Sequence, residues 1–141
     1  MKRIICIISI FTLSSCAVFG MVNKAVEFTT TKCEEFLDFI EQDDFNQARE
    51  LLHSNSEVEK PYLESYISTL EQTYNIDFSE GYEIVTSLSS FYNVEGDAKT
   101  YESVFVIEIS SKELYLYFNY LKDNVDEGIH SFYFVDNDEI N

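Results

Sequence analysis

The chain has no tryptophan, one proline (Pro61), four glycines and three cysteines in 141 residues. With so little glycine there is no Gly-rich loop to cradle a phosphate, and neither a Cys-x-x-Cys pair nor a His-Glu-x-x-His helix is present. Positive charge is scarce: 9 Lys and Arg stand against 26 Asp and Glu, a formal net charge of −17. No basic footprint exists to neutralise phosphates and release counterions, which excludes nucleic acid as a partner. Anionic lipid headgroups repel such a domain for the same reason. The one apolar run that stands out, Ile4 to Leu13, is too short to span a bilayer.

That run is informative by its context. Lys2 and Arg3 precede it, and Leu13-Ser14-Ser15-Cys16 follows it. A charged start, a short apolar stretch and small residues at the end are the parts of a secretory signal. The last four residues resemble the lipobox of bacterial lipoproteins. The resemblance implies a diacylglyceryl group on the Cys16 thiol, with palmitate-type acylation, and cleavage before it. Residues 1–15 are then a removed signal, 16–25 a lipidated N-terminus and short tether, 26–136 a single domain and 137–141 a frayed acidic end. An ordinary signal cut near Cys16 or Gly20 and an uncleaved anchor helix are the alternatives. Ala17 is not the Asp that marks inner-membrane retention in enteric lipoproteins, so the family rule points to a cell-envelope, periplasm-facing or surface location with the outer membrane favoured.

Loss of Lys2 and Arg3 takes the net charge to −19. The acidic residues are dispersed from Glu27 to Glu139 and serve solubility; their alternative use is an acidic face that docks on a basic protein. At 45% hydrophobic and 16% aromatic residues, the chain is far too apolar to be disordered. With Cys6 lost and Cys16 lipidated, Cys33 has no intramolecular partner, so stability comes from packing.

Cys33, Phe36, Leu37 and Ile40 recur at helical spacing and predict a helix over about 26–42 with one buried face. Asp43 or Asp44 caps a short second helix carrying Phe45, Ala48, Leu51 and Leu52. His53-Ser54-Asn55-Ser56 reads as a polar break with His53 solvated. Pro61 then opens a third helix, with Leu63, Tyr66, Ile67, Leu70 and Tyr74 on its periodic face to about Asn75.

After Gly81 the period becomes two. Tyr82, Ile84, Thr86, Leu88, Ser90 and Tyr92 predict one face of a first strand. Tyr101–Ile109, Glu113–Leu121 and Ile129–Val135 follow, separated by Glu95-Gly96-Asp97, Ser110-Ser111-Lys112 and the acidic turn Asp123–Gly128. Four strands with no helix between them form an antiparallel meander. The expected fold class is α+β, with N-terminal helices packed on a curved antiparallel four-stranded sheet. The helix order, the Asp-Asp-Phe-x-x-Ala step at Asp43–Ala48 and the closing strands resemble NTF2-like (cystatin-like) cone domains of bacterial lipoproteins; Gly128-Ile129-His130 stands in for the Gly-x-Trp step such domains often carry.

Tyr115, Tyr117, Tyr120 and Tyr133 are the candidate contact surface, because aromatics on both faces of the last two strands exceed what a half-covered sheet needs. The expected activity is binding, not catalysis: contact with a protein or small ligand through this aromatic face or the cone mouth, with dimerisation through the sheet as a further option. The resemblance implies a rival, a small enzyme using His130 with a carboxylate such as Glu108 as acid and base. No cofactor is expected and no metal: Asp123–Gly128 superficially resembles a calcium loop, yet Val125 holds a ligand position and Phe134 stands where the closing Glu belongs. Cys33, on the apolar stripe, packs as a small hydrophobe.

Overall fold

A computed structural model describes residues 23–136. The signal at 1–15, Cys16 and the end at 137–141 lie outside these residues. Helix α1 is in place from residue 23, ahead of the expected start, and runs to 41. Its Cys33, Phe36, Leu37 and Ile40 are all buried, as the spacing predicts. Asp43 turns the chain in the left-handed region at φ 55, with its N–H on the Ile40 carbonyl. Asp44 then accepts from the Gln47 N–H and starts helix α2, Phe45–Glu50, so the chain reverses within a few residues.

A one-turn 3-10 helix over Lys60–Tyr62 carries Pro61, and helix α3 follows at Leu63–Tyr74, burying Leu63, Ile67 and Leu70. Asn75, left-handed at φ 53, ends it. Strands β1 (Tyr82–Glu95), β2 (Ala98–Ile109), β3 (Lys112–Lys122) and β4 (Glu127–Asp136) form one antiparallel sheet in the order β1-β2-β3-β4. Ser110 and Ser111 both take positive φ in the β2–β3 turn, the primed geometry whose twist suits a tight hairpin.

Alternation splits the sheet into two faces. Phe105, Ile107 and Ile109 of β2, Leu114, Leu116, Phe118 and Tyr120 of β3, and Ile129, Phe132 and Phe134 of β4 are buried against the helices. Phe36 meets Phe132 at 4.8 Å and Phe78 meets Phe134 at 5.8 Å between ring centroids. Each such ring, fully buried, contributes about 1.5–3 kcal/mol. In β1 the predicted face breaks down: register shifts between Ile84 and Thr86 and between Ser87 and Ser89 insert extra residues. Thr86 and Leu88 therefore leave the face of Tyr82 and Ile84, and Leu88 is exposed.

The two sheet edges are treated differently. Along β4 the Ile129 and His130 carbonyls accept from the His53 and Glu57 N–H groups. The Phe132 and Phe134 carbonyls accept from the Tyr66 and Tyr74 hydroxyls. That edge is closed to further strands. β1 is the open edge, guarded by its bulges.

Candidate functional site

Three of the four candidate tyrosines share the face turned away from the helices. The register sets Val104, Tyr117 and Tyr133 abreast on β2, β3 and β4, and the next row in one direction is Val106, Tyr115 and Val135. The Tyr117 and Tyr133 rings stack at 4.6 Å and 6°, and Tyr133 remains 47% exposed. Tyr120 is a correction: it is 4% exposed and points into the core, edge-on to Phe28 at 5.2 Å. The cause is the period of two, which gives Tyr120 the face of Phe118 and Leu116. Burial, followed by nearby carboxylates, pushes its phenol up to about 12.

A groove of about 350 Å³ opens on this outer face, lined among others by Phe91, Glu102, Val104, Tyr117, Asn119 and Tyr133. Val104, with Ser89 on one side and Tyr117 on the other, makes a low floor. Partial burial raises the Tyr133 phenol, and the charges of Tyr117, Glu57 and Glu102 raise it further. By alternation the outer face also carries Glu83, Glu95, Glu102, Glu108 and Glu113, all exposed. None of its positions is Lys or Arg: Lys99, Lys112 and Lys122 take the opposite face, where Lys112 pairs with Asp136 and Lys122 with Glu127.

The cone mouth is a second opening, about 430 Å³, formed by Lys24, Ala25, Phe28, Tyr92 and Tyr101. Beneath it the interior is closed by hydroxyls: Thr29 and Ser103 lie 2.7 Å apart, and Ser90 and Ser103 2.5 Å.

The histidines depart from expectation. His53 is 1% exposed, not solvated, because residues 51–57 lie along the start of β4 and turn its ring inward. The bridge pairs Leu52 with Ile129 in parallel, and Gly128 makes it feasible. A Cβ there would stand 2.5 Å from the His53 nitrogen and 2.7 Å from the Leu51 oxygen. His53 Nδ1 accepts from the Asn55 N–H at 3.0 Å, while Nε2 lies 2.5 Å from Asp126 Oδ1 and 3.4 Å from Asp123 Oδ2. Hydrogen bonds from the Val125 and Asp126 N–H groups, ahead of His53, hold the Asp123 carboxyl below the usual carboxylate range.

These three side chains have metal-ligand chemistry, with donor atoms within 4.8 Å of one another. The geometry favours a different use. Since Nδ1 takes a backbone proton donor, a neutral ring carries its own hydrogen on Nε2, which a metal would need as a lone pair. A separation of 2.5 Å between nitrogen and oxygen is also shorter than two ligands of one ion normally keep. The cluster is a clip that ties the segment after α2 to the β3–β4 turn.

His130 sits at the register shift between Asn119 and Tyr120, edge-on to His53 at 6.4 Å. Its Nδ1 is buried with no hydrogen-bond partner among the described residues. Glu108 pairs with Glu113, six residues along β3 from Asn119, about 20 Å away at the rise of a strand. The structure therefore does not bring His130 and Glu108 together. Cys33 is fully buried and free, and burial, then Glu34, raises its thiol far above its ordinary value.

No protein-family model matches the chain, and no curated relative matches it. Solved structures do resemble it. A protein of unknown function with a cystatin-like fold from Nostoc punctiforme superposes with a TM-score of 0.52 at 12% identity, covering 74% of this chain and 85% of that one. An NTF2-like protein with a cystatin-like fold from Novosphingobium aromaticivorans gives 0.51 at 10% identity, covering 89% of this chain and 88% of the other. At such identities the likeness shows the fold, an α+β cone of the cystatin-like, NTF2-like kind, as the helix and strand order led one to expect.

Proposed function

We propose that this chain is a non-catalytic binding domain, tethered to a bacterial cell envelope by a lipid on Cys16, which contacts its partner through the outer sheet face. The observation that supports the reading is the groove centred on the stacked Tyr117–Tyr133 pair, an aromatic surface on the side of the sheet that the helices leave bare. Stacked, rotamer-poor tyrosines supply contact area at low entropic cost. The acid–base alternative has no histidine–carboxylate pair in either opening: neither lining contains a histidine, and the buried His53 faces Asp123 and Asp126 away from both.

The test is a photo-crosslinking residue placed at Tyr133 or, as control, at the exposed Gln72 of α3, in the full chain expressed in its host. A discrete adduct of one mass at position 133 and none at 72 is the expected result. Adducts at neither position, or equally at both, would remove the outer face as the contact surface.

A further inference from the structure

We infer that the outer sheet face docks a cationic segment of a partner protein, seating an arginine side chain in the groove between Phe91 and Tyr117 with Glu102 as its ion-pair partner. The inference deepens the contact surface proposed above and rests on it.

Charge is the first argument. Glu83, Glu108 and Glu113 stand directly abreast on β1, β2 and β3. Like charges directly opposite on neighbouring strands destabilise a sheet, and the outer face offers no Lys or Arg to relieve them. With Glu102 and Glu95 the face holds five carboxylates around an aromatic centre. A cationic partner removes that repulsion; a second copy of this chain, face to face, doubles it.

The shape and donor chemistry of the groove narrow the choice to arginine. Tyr117 stacks on Tyr133 with one ring face; on its other side Val104 and Ser89 complete the row, and Phe91 stands in the next row beside Glu102. A planar guanidinium lying over Val104 against the second Tyr117 ring face is attracted by it and comes within reach of Glu102. The groove offers two acceptors to a cation, the Glu102 carboxylate and Asn119 Oδ1, a buried oxygen with no hydrogen-bond partner among the described residues, and the hydroxyls around them can accept as well as donate. A guanidinium carries five donors and no acceptor. An ammonium satisfies the charge but offers no plane to stack on the ring and no fork of donors for the two acceptors.

The experiment uses the full chain purified in detergent and a fluorescent oligo-arginine peptide, with oligo-lysine of equal length as comparison, read by anisotropy. Glu102→Gln and Tyr117→Leu are compared with Glu59→Gln, a charge-matched change on the helical side, and thermal melts establish that all three fold. The expected result is salt-sensitive binding that Glu102→Gln and Tyr117→Leu each weaken by about ten-fold, that Glu59→Gln barely alters, and that oligo-lysine does not match. Equal weakening by both glutamine variants would reduce the effect to net charge and overturn the proposal. So would a dimer that Tyr133→Ala dissolves. If oligo-arginine fails while the crosslink at position 133 persists, the cationic partner is wrong and the contact face stands; if both fail, the face itself is wrong.

Discussion

At the scale of single residues, the molecule depends on a few close fits between distant segments. Gly128 is one, because any side chain there meets backbone atoms of Leu51, Leu52 and His53 that cannot rotate away. Gly128→Ala should destabilise the domain by about 1–3 kcal/mol, measured by denaturant unfolding; an unchanged midpoint would mean that the 51–57 segment is free to shift. Asp123 is another, and its effect has a sign. A carboxyl held below its unfolded value stabilises the fold above about pH 4 and loses that contribution as pH falls through the folded value. Asp123→Asn should therefore lower the melting temperature at neutral pH and flatten its fall in acid, with the two proteins converging at low pH. The polar string His53-Ser54-Asn55-Ser56 conceals this clip in the sequence: the carboxylates that receive His53 are some seventy positions further on, and nothing local marks them as its neighbours. Cys33, by contrast, was legible as core because helical spacing alone sets its face.

At the scale of elements, local chemistry and structure agree closely. Asp44 caps α2, Asn75 ends α3, and all three hairpins fall on the turn residues that bound the alternating runs. The misreadings of strand phase have one physical origin, the β-bulge. Two register shifts in β1 move Thr86 and Leu88 off the face that strict alternation assigns, and a third, beside His130, changes the phase of β4. Bulges add one residue without a compositional signature, so sequence reasoning steps over them. The Ser110-Ser111 turn gives a prediction at this scale. Ser110 has a task, its Oγ accepting from the Asp77 N–H, whereas Ser111 holds φ 61 at a cost that glycine avoids. Ser111→Gly should stabilise the domain by about 0.5–1 kcal/mol in the same unfolding assay, and a loss of stability would contradict the turn geometry.

At the scale of the whole molecule, the fold sorts its surfaces by role. Helices and the 51–57 segment close one face and one edge of the sheet, and the bulged β1 guards the other edge. The acidic, aromatic outer face is what remains uncovered among the described residues. The α+β cone was legible from the order of periodicities; the division of tyrosines was legible only in part, since composition marks Tyr115, Tyr117, Tyr120 and Tyr133 alike and only the pairing register separates the core-facing Tyr120 from the rest. The proposed tether belongs to this scale too. Intact-mass measurement on the chain made in its host should show loss of residues 1–15 and a diacylglyceryl-sized gain, both absent in Cys16→Ser; an unmodified chain would leave a binding domain without an anchor.

The contact face itself is tested most directly by hydroxyl-radical labelling of the chain in isolated envelopes and after purification, read at Tyr133 and at Tyr62, which is 62% exposed on the helical side. Tyr133 should be labelled in the purified chain and protected in the envelope, while Tyr62 should be labelled equally in both. Equal labelling of Tyr133 in the two preparations, or protection of Tyr62 in its place, would contradict the assignment of the contact face.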